Sequence, residues 1–245
     1  LDTDLSSWPR VRVEYRDRAN SGPIREESDW PIPRTDYTEW FLDAGSAGLL
    51  ASPPDGEQTA TYDPTGTGFP AEAGDQCATF DLRFEQATDL AGHAALRLWV
   101  ASPGAENMDL FVNLDKLDAS GRRIGFPFFA YLDDGPLAQG RLRASRRELA
   151  SELSTPAQPV QAHQRDIPLP NDGPVAVDIE IWPFTATFAP GETLRLTVAG
   201  ADIQRYPPQE FAAGHDLLVN TAPHVLHSGG RYPSRLLLPV VPTPE

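Results

Sequence analysis

The stretch "ATFDLRFE", residues 78–85, alternates apolar and polar side chains with a period of two. Its apolar members are Phe80, Leu82 and Phe84, and its polar members are Asp81, Arg83 and Glu85. Successive side chains of a strand point to opposite faces, so this order places one apolar and one polar face along the chain. The stretch therefore predicts a half-buried β-strand.

Similar runs recur along the chain. They are "RVRVEYR" (10–16), "ALRLWVAS" (95–102), "MDLFVNLDKLD" (108–118), "RRIGFPFFAYLD" (122–133), "VAVDIEIWP" (175–183), "TLRLTVAG" (193–200), "DLLVN" (216–220) and "SRLLLPVV" (234–241). Roughly ten such runs, separated by turn residues, predict an all-β sandwich or barrel. Because they extend over nearly the whole chain, we expect a single domain, 1–245, with 1–8 as a linker or helix remnant and 242–245 as a tail.

Turn and cap residues refine this expectation. "DASG" (118–121) has Asp first and Gly last, as type I turns prefer, and "APGE" (189–192) has a proline that presets φ and a glycine that allows a positive φ. The best helical signal is "ASRRELASEL" (144–153), where Ser145 and Glu148 have capping-box spacing. Residues 17–37 and 51–76 are rich in Pro, Gly and Asp and predict long surface loops.

Composition excludes several classes of partner. The 245 residues carry a net charge of −15, which disfavours nucleic acid and anionic membranes. The single cysteine permits no intramolecular disulfide, and no apolar run is long enough to span a membrane. The first residues, "LDTDLSSW", are acidic and start with Leu, so we interpret the chain as excised from a longer one and favour a cytoplasmic location.

The end of the chain, "HSGGRYPSRLLLPVVP" (227–242), raises the question of catalysis. Ser228 and Ser234 lie near His224 and His227, so a self-contained Ser–His hydrolase stays an open but weak alternative. Neither a G-x-S-x-G elbow nor an S-x-x-K motif occurs in the sequence. Cys77, at a predicted strand start, and the H-x-x-H pair, whose members point to opposite faces of a strand, are more typical of structural residues.

Carboxylates form the other cluster with chemical potential. Asp109, Asn113, Asp115 and Asp118 lie close together, with Asp133 and Asp134 further on. Oxygen ligands of this kind could hold Ca²⁺, although the spacing is not that of an EF-hand. We favour a simpler interpretation, in which the polar residues form a solvated face opposite a core face. The sequence predicts no cofactor.

The five tryptophans could form contact surfaces. Trp99 and Trp182 lie in predicted strands, where packing is expected. Trp30 lies in the loop "SDWPIPRTD" and Trp40 just beyond it. We predict that these two contact a neighbouring domain or line a substrate pocket.

The order of several segments resembles the C-terminal domain of one serine hydrolase family. The segments are "SWPRVRVEYR", "WPIP", "TEWFLD", "LAGHAALRLWVASPGAENMDLFVNLDKLDASGR", "GRLRASRRE", "FAPGETLRLTVAGADIQRYP" and "YPSRLLLPVVP". That family includes cocaine esterase, α-amino-acid ester hydrolases and X-prolyl dipeptidyl-peptidases. One departure is Glu192, which stands where the family usually has His.

The resemblance implies a jelly-roll β-sandwich of the galactose-binding-like type. It also implies that the Ser, Asp and His of the triad lie in a preceding α/β-hydrolase domain, so no catalytic residue is assigned to this chain. The jelly roll would pack on that partner, help shape its substrate pocket and provide contacts for homo-oligomers. We expect the packing surface at the loops of residues 17–40. The alternative is a free-standing carbohydrate-binding module of the same fold.

Overall fold

Most of the alternating runs fold as β-strands in the computed structural model, which describes residues 7–65, 76–128, 132–203 and 217–242. The exception is "DLLVN" (216–220), whose described residues 217–220 form no strand. The strands are β1 (Val11–Glu14), β2 (Ile24–Glu27), β3 (Asp36–Asp43), β4 (Gly48–Leu50), β5 (Gln58–Tyr62), β6 (Cys77–Arg83), β7 (Thr88–Ala101), β8 (Asp109–Leu117), β9 (Arg123–Ile124), β10 (Phe126–Phe128), β11 (Leu132–Gly135), β12 (Ala138–Arg143), β13 (Val175–Phe188), β14 (Thr193–Ala199), β15 (His224–Ser228) and β16 (Arg235–Val241). The opening stretch became β6, whose alternate residues are buried as predicted.

Most of these strands belong to one ladder that closes on itself. The order is β13-β12-β8-β14-β6-β4-β3-β16-β7, and β7 also pairs with β13. Strands β15 and β5 continue from β7, and the pairings are antiparallel except for β4 with β6. The result is a barrel-like β-sandwich, which confirms the predicted all-β class.

The interior of this ladder holds a large apolar cluster, here called the main cluster. Its members come from strands around the whole ladder and include Phe80, Leu96, Leu98, Leu110, Leu114, Ile179, Phe188, Leu196, Leu236 and Leu238. Each strand contributes alternate residues because the period of its side chains is two. Burial of this apolar area is the main favourable contribution to the folding of the domain.

A second, smaller apolar cluster lies outside the ladder, beneath the hairpin formed by β1 and β2. This hairpin cluster consists of Val13, Tyr15, Ile32, Ala91 and Val241. Ala91 belongs to β7 and Val241 to β16, so the hairpin covers part of the outer face of the ladder. The predicted strand 10–16 thus packs on the sandwich from outside.

The final strand stays paired across a proline. β16 continues through Pro239 to Val241 and pairs with β3 on one side and β7 on the other. The β7 ladder shifts register between Leu237 and Val240, which accommodates the missing N–H of the proline. Gly92 lies opposite with φ +145°, and a Cβ there would lie 3.0 Å from the Pro239 Cβ.

Both predicted turns are present. The Gly121 amide donates to the Asp118 carbonyl at 2.8 Å, and the Glu192 amide donates to the Ala189 carbonyl at 3.1 Å. Gly121 and Gly191 have φ values of +83° and +89°, which glycine adopts at little cost.

The predicted helix over 144–153 is wrong beyond its first turn. Only Ala144–Arg146 forms a short 3₁₀ helix, with no side-chain cap. The Ser145 hydroxyl donates to Asp166 at 2.8 Å instead of capping the helix, and Glu148 pairs with an arginine of the following loop. Tertiary partners for both capping residues outweigh a weak local preference.

Candidate functional site

The two serines near the end of the chain are structural. The Ser228 hydroxyl accepts a hydrogen bond from the Ala44 amide, at 3.1 Å. The Ser234 hydroxyl accepts from the Trp99 amide and donates to the His227 carbonyl. Neither of these two hydroxyls bonds to an imidazole nitrogen of the described residues. The arrangement of these residues therefore does not support the Ser–His hydrolase hypothesis.

His224 has a different environment, because it is fully buried at the start of β15. Its Nε2 lies 3.0 Å from the Asn220 Oδ1, which can only accept, so Nε2 carries the proton. Its Nδ1 therefore accepts from the Tyr62 hydroxyl, also at 3.0 Å. Burial lowers the pKa of His224 to about 4, which keeps the ring neutral near pH 7.

The row of polar residues on β8 is buried, so its interpretation as a solvated face is wrong. Every residue of the strand is buried. Its polar side chains have partners, namely Arg143 for Asp109 at 2.8 Å, Gln139 for Asn113 at 3.0 Å and Arg123 for Asp115 at 3.9 Å. Neighbouring segments cover this face and contact its polar side chains, which a strand pattern alone cannot indicate.

The calcium hypothesis finds no support among these carboxylates. Within the described part of the chain, no group of three or more His, Cys, Asp or Glu side chains is placed to hold a metal ion. Asp118 stabilises its turn, where hydrogen bonds from Ser120 and Arg122 lower the pKa of Asp118 to about 2. Asp134 pairs with Arg123, and the side chain of Asp133 lies outside the described part.

Cys77 begins β6, as predicted, and is partly buried. Three further histidines differ from His224 in what can be said of their surroundings. His227 stacks edge-on against Tyr232, and burial lowers its pKa. His163 is exposed and has a positive φ of 51°, and His215 lies outside the described residues.

The tryptophans divide into half-buried and exposed groups. Trp40 packs against the main cluster, so its indole is part of the sandwich wall. Trp8 is 57% exposed and Trp30 37% exposed, and Trp182 is 61% exposed, contrary to the packing expected for it. Trp182 adjoins the register shift between Ile181 and Phe184, where the strand departs from regular alternation.

Trp8 and Trp30 lie at the same end of the β1–β2 hairpin. Trp8 precedes β1 by three residues and Trp30 follows β2 by three, and the two strands are antiparallel. An ion pair between Arg10 and Asp29, at 3.1 Å, joins the chain segments between them. Arg12 stacks over the Trp8 ring at 5.8 Å. This end of the hairpin, here called the aromatic end, offers apolar surface for a contact.

A cleft that the sequence did not predict lies on the outer face of β8 and β12. It has a volume of about 540 Å³, and its lining includes Phe111, Arg141, Arg143, Arg146 and Leu218. Arg141 and Arg143 are two residues apart on β12 and so lie on the same face of the sheet. Their cross-strand partners on β8 are Phe111 and Asp109, respectively. The segment "GRLRASRRE" contains these arginines, but the sequence does not indicate which residues face them across the cleft. We call this feature the arginine cleft.

These findings define a class of protein. The domain is an all-β sandwich whose described residues bring together neither a nucleophile with a base nor a metal-ligand set, but which has exposed aromatics and a cleft. Residues 5–237 match the sequence profile of the X-Pro dipeptidyl-peptidase C-terminal non-catalytic domain. The chain belongs to this family, which confirms the resemblance drawn from its motifs.

Solved structures agree with this assignment. Two crystal structures of a CocE/NonD family hydrolase from Staphylococcus aureus are each 33% identical to the chain, with a TM-score of 0.90. The match covers 99% and 98% of this chain but 43% of each hydrolase, so the chain spans less than half of their length. An α-amino acid ester hydrolase, at 17% identity and a TM-score of 0.64, shares the fold over 96% of this chain and 41% of its own.

A search of curated proteins finds no match to the chain. Among the described residues, no helix is long and apolar enough to cross a membrane.

Proposed function

We propose that this chain is an accessory domain that packs on the catalytic domain of a serine hydrolase acting on ester or amide bonds. Its family is a non-catalytic C-terminal domain, and the similar hydrolase structures are more than twice its length. The catalytic residues of the parent protein would lie in its α/β-hydrolase domain, and this chain would contribute to stability and to the wall of the substrate pocket.

The observation that carries the contact surface is the aromatic end of the hairpin. Trp8 and Trp30 expose indole rings at one place, whereas most large apolar side chains of the domain are buried. Exposed aromatics with a polar rim are typical of interface anchors, because they bury a large area at a small cost in side-chain entropy. The ion pair of Arg10 with Asp29 would form part of that rim.

Trp40 has a supporting place in this proposal. It packs against the main cluster from β3, and β3 begins four residues after Ile32 of the hairpin cluster. We infer that Trp40 connects the predicted contact loops to the sandwich, so that a partner on the aromatic end would be positioned rigidly. The finer fold prediction, a jelly roll of the galactose-binding-like type, is compatible with the closed and mostly antiparallel ladder.

A carbohydrate-binding module is the second candidate. The observation that favours it is the exposed ring of Trp182, since sugars stack on exposed aromatic faces. This alternative predicts that the isolated chain binds a glycan and that Trp182→Ala abolishes that binding. Glycan-array and calorimetric measurements on the isolated chain would detect it.

The test of the proposed function compares the isolated chain with the full-length product of its gene. We expect amide hydrogen exchange around Trp8 and Trp30 to be at least about tenfold slower in the longer protein, because interface backbone becomes protected. A fluorophosphonate should label a serine of the longer protein outside this chain and leave the isolated chain unlabelled.

A matched pair of variants sharpens the experiment. Trp8→Ser with Trp30→Ser should lower the thermal stability of the longer protein and remove the extra exchange protection. Trp182→Ser, which removes an exposed indole outside the aromatic end, should do neither. Equal exchange at Trp8 and Trp30 in both proteins, or serine labelling within the isolated chain, would contradict the proposal.

A further inference from the structure

The arginine cleft concentrates cationic side chains on an otherwise acidic domain. Three arginines line it in a chain whose net charge is −15. Its volume of about 540 Å³ is within the range of small-molecule sites. Neither the family assignment nor the proposed contact at the aromatic end uses this cleft.

Arg143 is held in place by a network of buried groups. Its Nε and Nη2 donate to the two carboxylate oxygens of Asp109, at 2.8 and 3.1 Å, and Nη2 also donates to the Leu217 carbonyl at 2.7 Å. Asp109 is almost fully buried and accepts a further bond from the Val219 amide, at 2.9 Å. These bonds occupy two of the three guanidinium nitrogens and leave Nη1 without a hydrogen-bond partner in the described part of the chain.

The wall of the cleft is anchored by the same network. The Asn220 side chain accepts from the Asp109 amide at 2.8 Å, donates to the Gly200 carbonyl and accepts from His224. This places the exposed side chains of Leu217 and Leu218 at the edge of the cleft. A buried scaffold of this kind preorganises the arginine before any ligand arrives.

Arg146 repeats the arrangement in a more exposed setting. Its Nη2 donates to the Asp166 Oδ2 at 2.9 Å, and its Nε lies 2.8 Å from the Asp166 Oδ1 in an ion pair. Its Nη1 likewise has no hydrogen-bond partner among the described residues. Both arginines therefore combine a carboxylate that orients the guanidinium with one remaining donor nitrogen.

The remaining lining determines the class of ligand. Phe111, Leu217 and Leu218 supply apolar surface next to the donors. Because Arg143 and Arg146 are each partly neutralised by an aspartate, the cleft suits a monoanion better than a phosphate dianion. We propose that the arginine cleft binds a small carboxylate that carries an apolar chain or ring, with Arg143 and Arg146 contacting the carboxylate and the leucines and Phe111 contacting the apolar part.

The test is a titration of the chain with hexanoate, followed by amide chemical shifts and calorimetry. We expect saturable binding that shifts amides of β8, β12 and residues 217–220. Acetate, which lacks the apolar chain, and hexanamide, which lacks the charge, should each bind at least about tenfold more weakly.

Variants separate this site from general attraction to arginine. Arg146→Gln should weaken hexanoate binding about tenfold, and its partner Asp166 is 58% exposed, so the fold should tolerate the change. Arg122→Gln, which removes an arginine that is 84% exposed and also paired with an aspartate, should leave binding unchanged. Arg143→Lys keeps the charge opposite Asp109 and provides a second variant should Arg146→Gln unfold.

Three results would overturn the proposal. The first is the absence of saturable shifts at the cleft up to high millimolar hexanoate. The second is equal affinity for hexanoate and hexanamide, because the arginines would then have no part in binding. The third is an equal loss of affinity in Arg146→Gln and Arg122→Gln.

Discussion

The main cluster and the hairpin cluster are stabilised by different forces. The main cluster is apolar, lies inside the closed ladder and is formed by side chains of strands from the whole chain. The hairpin cluster has only five fully buried members and is surrounded by charged side chains. Glu27 is buried and bound by both Arg34 and the Tyr15 hydroxyl, while Arg25 pairs with Asp89 on β7.

This difference follows from the area that each region can bury. A closed ladder removes both strand edges and excludes water from its interior, so apolar burial suffices. A two-stranded hairpin on an outer face has little apolar area and depends on hydrogen-bonded ion pairs as well. We therefore expect substitutions in the main cluster to destabilise the whole domain and polar substitutions under the hairpin to act locally.

The largest expected effect comes from a cavity in the main cluster. Leu98→Ala removes a side chain with no exposed surface and should lower the free energy of unfolding by about 4 kcal/mol. Chemical denaturation followed by circular dichroism would measure it. Leu153→Ala, at a site that is 70% exposed, should change stability by less than about 0.5 kcal/mol. Similar losses in both variants would show that apolar burial in the ladder is not the main source of stability.

The next effect concerns pH and the buried histidine. The native pKa of His224, about 4, is lower than its ordinary value of 6.5, so the unfolded chain binds the proton first as the pH falls. The stability that the neutral His224 ring contributes is fully present above pH 6.5. It is lost as the pH falls towards 4, by about 3 kcal/mol at most. Free energies of unfolding measured across that range would show the slope.

A matched pair identifies the group responsible. His224→Gln should be less stable at pH 7 but should lose most of that slope, whereas His163→Gln, at an exposed position, should keep it. An unchanged slope in His224→Gln would assign the pH dependence to other groups.

The hairpin should respond in a lower pH range. The hydrogen bond from Arg34 lowers the pKa of Glu27, so the stabilising charge of Glu27 is lost only below the ordinary pKa of 4.5.

The smallest effect tests the hairpin alone. Burial raises the pKa of Tyr15 to about 12, and its hydroxyl donates to Glu27 at 3.2 Å. Tyr15→Phe removes that bond and should cost about 1 kcal/mol. Hydrogen exchange should become faster at the amides of β1 and β2 and stay unchanged in β8 and β14. Faster exchange throughout the ladder would mean that the hairpin and the sandwich unfold as one unit.

Several features could be predicted because they depend on neighbours in sequence. Strand periodicity located β6, β7, β8, β13, β14 and β16, and the turns at Asp118 and Ala189 followed from the allowed backbone angles of their residues. The ordered motifs also predicted the family correctly. The predicted contact residues Trp30 and Trp40 stay predictions, although the structure places the first at the surface and the second against the main cluster.

Other features could not be predicted because they depend on distant segments. The polar face of β8 has the alternation of a solvated surface, yet Arg143, Gln139 and Arg123 cover it. Ser145 has a good capping position, but its hydroxyl donates a hydrogen bond to Asp166 instead. Trp182 was expected to pack, but a register shift between two long strands leaves it exposed.

The sequence by itself determined the all-β class, the main turns and the family, since alternation, backbone preference and motif order are local properties of the chain. The tertiary structure alone decided which polar groups meet. It brought Asn220 to His224 and Asp109, and it formed the arginine cleft from residues more than a hundred positions apart in sequence. The physical reason is that burying a polar group requires a partner, and the closed ladder determines which distant groups can reach one another.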